Sequence, residues 1–209
     1  RVYRLKAKGA KPSKLGTPFS KKNLLETTLR HPNRWHRETA LRLVGDQKDF
    51  SLIPKLRKVL RKETGRPALQ ALWALNLCGG FGKEVALETL GHKNPQVRRW
   101  TVRLLGDQGE VSQEVAERLA KLAKQEPDAE VRSQLAASAR CLRAGDGLPI
   151  LGHLVHRKED SGDPHLPLMV WWGFEQHAHD HDAILKHFEN PENWNGFLLA
   201  DGALPQQNL

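Results

Sequence analysis

The chain carries "RLVGDQ" at residues 42–47 and "RLLGDQ" at residues 103–108, which share five of six letters across an interval of 61 residues. Each copy follows a stretch in which apolar residues recur at helical spacing, so the two copies mark equivalent ends of two helices. A helix end that is repeated within one chain predicts a repeated structural unit. The sequence around the two copies should therefore contain further units of the same kind.

Five anchor residues begin similar helical phrases, at steps of 34, 28, 34 and 35 residues. Most positions five and eight residues after each anchor are small or apolar, and positions 0, 5 and 8 share one face of an α-helix. Pro, Asn or Asp precedes each phrase, which is typical of the junction between two helices. The anchors are Trp35, Leu69, Val97, Val131 and Leu166.

Gly45 and Gly106 close the two echoed phrases. A glycine just past a helix can adopt the left-handed conformation that satisfies the last carbonyl groups without a Cβ penalty. Asp46 and Asp107 follow as turn residues or as caps of the next helix. The pattern therefore predicts that both helices end at these glycines. The full repeat signature consists of Trp35, Arg37, Gly45, Asp46, Val97, Arg99, Gly106, Asp107 and Trp171.

A second apolar helix follows each of these turns, as in 51–63, where Leu52, Leu56 and Leu60 share a face. One helix pair cannot bury its apolar stripe, so successive pairs must stack on a shared core. The tetratricopeptide pattern requires recurring Tyr positions, and the chain contains one Tyr. We therefore expect an all-α, right-handed α-α superhelix, a HEAT-like or armadillo-type solenoid of about five helix pairs. It covers residues 20–190, between a basic tether at 1–19 and a C-terminal tail or linker at 191–209.

Four phrases resemble one family in both content and order. They are "LLETTLRHPNRWHRETALRLVGDQ" (24–47), "LQALWALNL" (69–77), "PQVRRWTVRLLGD" (95–107) and "DPHLPLMVWWGFE" (163–175). They are similar to the HEAT-repeat region of the membrane-bound dehydrogenase family of planctomycetes and verrucomicrobia. The resemblance implies a sorbosone-dehydrogenase-like β-propeller upstream, with "RVYRLKAKG" (1–9) as its last strand, and a c-type cytochrome downstream.

The same resemblance implies that this stretch is a connector, exported or periplasmic with the rest of its parent protein. Its function would be that of a non-catalytic scaffold, mediating contacts between protein domains within an oxidoreductase. No catalytic or haem-binding residue carries over, and the haem motif CxxCH is absent from the sequence. We therefore expect neither enzyme activity nor a cofactor in this fragment. An enzyme of bilin-lyase type would need paired acidic or Tyr groups, which this Tyr-poor chain hardly offers.

The net charge of +9 belongs to the N-terminal end. Residues 1–66 contain 19 Lys or Arg and 5 Asp or Glu, giving +14, whereas residues 67–209 contain 14 and 19, giving −5. The alternative function is thus a HEAT-like DNA-binding protein or an alkylpurine-glycosylase-like module that uses this basic half. The charges on the second helix surround it, however, which is typical of a solvated face. They are Lys55, Arg57, Lys58, Arg61 and Lys62.

The metal candidates lie in "EQHAHDHDAILKH" (175–187), which contains His177, His179 and His181. Zinc needs three or four converging ligands, and alternate histidines converge only in an extended segment. Because helical patterns flank this stretch, we interpret it as a solvated helix junction with Asp182 as the N-cap of the next helix. No metal site is assigned, and no apolar run approaches the roughly 20 residues that cross a bilayer.

The tryptophans are interpreted mainly as packing residues. Adjacent helix positions diverge by about 100°, so in "VWWGFE" (170–175) Trp171 is expected in the core and Trp172 at the next helix or a partner contact. The partner-binding candidates are then Trp172 and the lysines and arginine of the basic helix, Lys55, Lys58, Arg61 and Lys62. Packing within the repeats is expected for Trp35, Trp73 and Trp100, and tail anchoring for Trp194.

Arginines near the repeat turns predict a ladder of hydrogen bonds to carbonyl or acidic groups of the adjacent unit. Cys78 and Cys141 fall near helix ends two units apart, beyond the 7 Å Cα separation that a disulfide allows. We expect both thiols to be free and buried. The ladder arginines are Arg34, Arg37, Arg98, Arg99 and Arg103.

Overall fold

The computed structural model describes Gly9 and residues 29–193, which form an all-α protein. Helices contain 74% of the described residues, and none of those residues lies in a β-strand, which confirms the predicted class. The rest of the expected tether at 1–19, the strand at its start and Trp194 lie outside the described residues. The α-helices are α1 (Arg34–Gln47), α2 (Ile53–Lys62), α3 (Gly65–Leu77), α4 (Lys83–Thr89), α5 (Pro95–Gln108), α6 (Gln113–Gln125), α7 (Ala129–Ala139), α8 (Ala144–Val155), α9 (Leu166–His177) and α10 (His181–Phe188). Short 3₁₀ turns cover Phe50–Leu52, Lys158–Asp160 and Pro191–Asn193.

The helices form two rows. Each odd-numbered helix contacts the next odd-numbered one, from α1 to α9. In the other row α4 contacts α6, α6 contacts α8 and α8 contacts α10, while ion pairs join α2 to α4. One continuous apolar core lies between the rows, as stacked amphipathic helices require. Its largest fully buried side chains are Leu56, Leu60, Leu72, Leu75, Leu90, Leu119, Leu135, Leu148, Ile150, Leu151 and Leu154.

The echoed glycines lie inside their helices, so the prediction that Gly45 and Gly106 end α1 and α5 is wrong. Both helices continue for two more residues, and the left-handed residues beyond them are Lys48 (φ 46°) and Gly109 (φ 74°). A Cβ at Gly106 would lie 2.7 Å from the side chain of Ser138 in α7. The glycine therefore serves the close approach of two helices rather than a helix end.

Asp46 and Asp107 are likewise inside helices, and the prediction that they start or cap the second helix is wrong. Asp46 lies 3.5 Å from Arg42 and Asp107 lies 3.9 Å from Arg103, one helical turn earlier in each case. These are exposed pairs between residues i and i+4, which contribute little to stability. The turn before α2 is instead capped by Asp49, which accepts a hydrogen bond from the backbone of Ser51.

Trp35 is 57% exposed, so the expectation that it packs in the repeat core is wrong. Arg37 and Arg98 each donate a hydrogen bond to the carbonyl group six residues earlier, which makes them equivalent positions 61 residues apart. In that register His36, rather than Trp35, corresponds to the buried Val97. The equivalent contacts of Arg37 and Arg98 extend the 61-residue interval of the echo, and in this register position 36, not position 35, matches the anchor Val97.

Trp171 is 53% exposed, so its predicted place in the core is also wrong. α9 buries Leu166, Val170 and Phe174, which follow one another at a spacing of four residues. The predicted packing of Trp73 and Trp100 is confirmed, since their rings meet edge to face with centroids 4.9 Å apart.

Both cysteines are free, as predicted, but only Cys78 is buried. Cys141 is exposed because it lies in the turn between α7 and α8, outside the apolar core. Burial raises the pKa of the Cys78 thiol. The two thiols should therefore differ in reactivity.

Candidate functional site

Ion pairs with α4 divide the basic residues of α2 into two sets. The guanidinium group of Arg57 lies 3.2 Å from a carboxylate oxygen of Glu84, and that of Arg61 lies 2.6 Å from one of Glu88. The hydrogen bond from Arg61 lowers the pKa of the Glu88 carboxyl group and raises the pKa of Arg61. Both arginines therefore form ion pairs with acids of the adjacent helix α4.

The remaining cations, Lys55, Lys58 and Lys62, are exposed and follow one another at intervals of three and four residues. This spacing places them on one stripe of α2, and none pairs with a carboxylate among the described residues. The sequence suggested basic residues distributed around the helix. Within the described part of the chain, the structure instead separates two paired arginines from a row of three lysines that have no carboxylate partner.

The three candidate metal ligands are not brought together. His177 is buried, with its Nε2 atom 2.9 Å from the carbonyl oxygen of Ala139. His179 and His181 are exposed, and the Nδ1 atom of His179 lies 2.6 Å from the carbonyl oxygen of Gln176. Within residues 29–193 no three His, Cys, Asp or Glu side chains are placed to hold a metal ion.

The junction that contains these histidines is also capped differently from the prediction. Asp180, rather than Asp182, is the N-cap of α10 and accepts a hydrogen bond of 3.1 Å from the backbone of Ala183. We expected the whole stretch to be solvated, but His177 is buried in α9. Its first histidine is a packing residue.

Buried arginine–carboxylate pairs join odd-numbered helices to the segments that precede the next odd-numbered helix in the second half of the chain. Arg98 of α5 donates hydrogen bonds of 2.7 and 2.5 Å to the two carboxylate oxygens of Glu126. Arg132 of α7 donates to Asp160 in the same two-pronged way, and this hydrogen bonding raises the pKa of Arg132. In both cases the acid lies 28 residues after the arginine and just before the next odd-numbered helix.

Glu126 is the centre of this network. Its carboxylate accepts from Arg98 and, at 3.0 Å, from the backbone of Asp128. Its carbonyl oxygen accepts from Arg132 at 3.0 Å and from Arg157 at 2.6 Å. One buried residue therefore connects α5, α7 and the segment that follows α8. Sequence reasoning missed this role, although an acid 28 residues after each arginine was a visible signal.

Of the five arginines predicted to form the ladder, only Arg98 and Arg99 bond to a later helix pair among the described residues. Arg98 and Arg99 reach the next unit, Arg99 through an ion pair of 3.0 Å with Glu130 of α7. Arg34 and Arg103 pair with acids four residues later in their own helices instead. Arg37 donates to carbonyl groups of its own turn. Position near a repeat turn therefore does not decide which partner an arginine takes.

The outer face of α9 carries a cluster of exposed apolar side chains. Trp171 is 53% exposed and Trp172 is 44% exposed, and Leu168, 41% exposed, lies between their two directions around the helix. An open depression of about 510 Å³ adjoins Trp172 and is bordered by Arg140, Glu175 and Gln176. We name this surface, formed by Leu168, Trp171, Trp172 and Glu175, the α9 end face.

In α5 the corresponding face contacts the next odd-numbered helix. Arg99 reaches α7 through its ion pair, Gly106 lies against Ser138 of α7, and Val102 between them is buried. These residues stand two, five and nine positions after the anchor Val97, as Leu168, Trp171 and Glu175 do after the anchor Leu166. These three residues of the α9 end face therefore match the covered face of α5, but no helix of the described residues lies on them.

No helix among the described residues combines the length and apolar character that crossing a membrane requires. Comparison of the chain with protein-family models, with curated proteins and with solved structures finds no match.

Proposed function

We propose that the chain is a non-catalytic helical scaffold whose α9 end face docks an α-helix of a partner protein domain. The observation that carries the proposal is the exposure of Trp171, whose counterpart in α5, Val102, is covered by the next helix, with Trp172 exposed beside it. Large exposed aromatic groups that cluster on a surface are typical of protein–protein contacts. A helix on this face would extend the row of odd-numbered helices.

The same proposal takes the overall arrangement to be a right-handed solenoid of the HEAT-like type. Contacts between each odd-numbered helix and the next, and repeated arginine–carboxylate junctions, support this arrangement. In a solenoid each unit stacks only on its neighbours, so the first and the last unit each leave one stacking surface uncovered. A scaffold that holds domains at a fixed spacing needs this property.

The resemblance stated above supplies the candidate partners. We propose that the docked helix belongs to the propeller or the cytochrome domain of a dehydrogenase-like parent protein, and that both are exported with this chain. No cofactor is assigned to the chain itself. The repeats would then set the distance between the two domains.

A photo-crosslinking amino acid in place of Trp171, introduced into the full-length parent protein, tests this function. The matched control carries it in place of Leu185, which is 65% exposed on α10. We expect crosslinks from position 171, but not from position 185, to one helix in another domain of the parent. Crosslinks at equal yield from both positions, or none from position 171, would contradict docking at the α9 end face. Crosslinks between two copies of this chain would assign the face to self-association instead.

A second candidate function rests on the stripe of Lys55, Lys58 and Lys62. Three phosphate contacts give a slope of about −2.7 in log affinity against log salt, so DNA binding would weaken about fortyfold between 50 and 200 mM salt. A gel-shift titration at the two salt concentrations should show this loss of affinity. Replacing the three lysines with Gln should abolish DNA binding at low salt. Replacement of three exposed lysines elsewhere is the control. Absence of binding at low salt would eliminate this function.

A further inference from the structure

Helix α10, the last α-helix of the described residues, makes few buried contacts with the rest of the fold. None of its residues is fully buried. It contacts α8 and the turn Pro191–Asn193, and Phe188 meets Phe174 of α9 at 5.8 Å between ring centroids. Elements with few buried apolar contacts open at the lowest free-energy cost. A small change in the free energy of the α8–α10 contact can therefore shift the equilibrium between docked and undocked α10.

His187 of α10 lies at the centre of that contact. A Cβ added to Gly152 of α8 would come within 3.0 Å of two atoms of the imidazole ring, so the ring lies directly on the helix backbone. Its Nε2 atom is buried and has no hydrogen-bond partner among the described residues. A neutral imidazole tolerates such a site, whereas an added proton would create a buried charge and an unsatisfied donor.

The groups around His187 also oppose its protonation. After the larger effect of burial, His153 of α8 and His156, which directly follows α8, each lower its pKa through like-charge repulsion. Burial and, next, Lys124 of α6 lower the pKa of His153. The other neighbours, Phe174 of α9 and Asn193 of the turn, carry no charge. Among the described residues, the charged groups that act on His187 are thus His153 and His156. Each of these two side chains, when protonated, disfavours a second positive charge on the His187 ring.

We propose that α10 and the turn Pro191–Asn193 form a pH-sensitive latch on α8, closed while His187 is neutral and opened when this side chain takes up a proton. Opening relieves the buried charge, because it returns the imidazolium group to water. It also uncovers the aromatic contact between Phe174 and Phe188 and the backbone of α8 at Gly152. The latch thus links acidification to exposure of an apolar surface at this end of the fold.

The direction of the pH dependence follows from burial. Burial, and then the nearby His153 and His156, lower the pKa of His187 in the closed state. The open state therefore binds more protons, so closure is favoured in full above the ordinary histidine pKa of about 6.5. Below that pH the equilibrium constant for closure falls by up to about tenfold for each pH unit, until the closed-state pKa is reached.

His156 cannot be the group that opens the latch. Its Nδ1 atom lies 2.6 Å from the carbonyl oxygen of Gly152, and its Nε2 atom lies 2.9 Å from that of Glu192. A neutral imidazole donates to only one of two such acceptors, whereas the imidazolium donates to both. Both ring nitrogens of His156 face an acceptor, whereas the buried Nε2 atom of His187 has none among the described residues, so the opening is assigned to His187.

Hydrogen–deuterium exchange of the full chain, corrected for intrinsic rates, tests the latch at about pH 7.5 and about pH 5.5, on either side of the ordinary histidine pKa. We expect exchange of the α10 amides to accelerate by about tenfold at the lower pH, while those of α7 stay protected. His187→Gln should abolish the acceleration, and His179→Gln, an exposed histidine in the same junction, should leave it unchanged.

Equal α10 protection at both pH values, or an acceleration that persists in the His187→Gln variant, would overturn the latch. Should the glutamine variant leave α10 unprotected at both pH values, the wild-type chain decides the matter by NMR titration of the His187 ring. We then expect its midpoint to lie below about 6.5 and to coincide with the loss of α10 protection. A midpoint at or above that value would refute the proposal.

Discussion

Replacing Glu126 with Ala removes the acid at which the buried junctions converge. The Glu126 side chain is fully buried and that of Arg98 is 12% exposed, so the change leaves a guanidinium group with little access to water. Arg98 keeps its hydrogen bonds to the carbonyl groups of His92 and Lys93. It loses both bonds to the carboxylate, and the backbone of Asp128 loses its acceptor.

The cost follows from these contacts. Breaking a buried ion pair by removing one partner destabilises a protein by about 3–5 kcal/mol. The bonds that Arg98 retains place the expected loss near the lower limit, at about 3 kcal/mol. For a domain of this size that loss lowers the melting temperature by about 6–12 °C.

Glu130 provides a matched control four residues away. It also pairs with an arginine of α5, but its side chain is 68% exposed, so Glu130→Ala should cost about 1 kcal/mol or less. Urea unfolding of both variants, followed by circular dichroism, measures the difference. A loss for Glu126→Ala within about 0.5 kcal/mol of the control would refute the role assigned to the buried carboxylate. Replacing Arg98 and Glu126 together by apolar residues should recover most of the lost stability.

Gly106→Ala should destabilise the fold by about 1–3 kcal/mol, because the new Cβ would lie 2.7 Å from the side chain of Ser138. Gly45→Ala should be neutral or stabilising by up to about 1 kcal/mol, since the atom nearest to its new Cβ would lie at 3.6 Å. Urea unfolding of the two variants compares the echoed positions directly, and equal losses would contradict the packing. Cys141 should react with a thiol reagent at least about tenfold faster than Cys78 in the native state, because burial shields the Cys78 thiol and raises its pKa. Similar rates under native conditions would argue against the burial of Cys78.

Helical periodicity predicted the fold class because apolar spacing is a local property of the chain. The burial of Leu166 and Val97 follows directly from it. Periodicity does not show whether a neighbouring helix covers a given face. Trp171 fits the apolar pattern but is exposed, because no helix of the described residues covers its face. It also does not fix the register, which the hydrogen bonds of Arg37 and Arg98 reveal.

The two echoed glycines show why identical letters need not have identical roles. Gly45 faces the flexible side chain of Leu77 at an ordinary distance, while Gly106 meets the short side chain and the backbone of Ser138. The difference lies in the next helix, about 32 residues away, and not in the repeated phrase. In the candidate site, the cations of α2 were identifiable from sequence, but the acids that neutralise Arg57 and Arg61 lie on another helix.

The ion pairs between units are distributed unevenly along the chain. Between α2 and α4 they reach the solvent, as in the pair of Arg61 with Glu88, whereas the Arg132–Asp160 pair is nearly inaccessible to water. Dissolved ions screen exposed charges within a Debye length of about 8 Å at physiological ionic strength and affect buried pairs far less. Raising the salt concentration should therefore weaken the contact between α2 and α4 more than the buried pairs of Arg98 and Arg132. Asp160, the partner of Arg132, lies six residues before α9, so the α9 end face adjoins a contact that dissolved ions affect little.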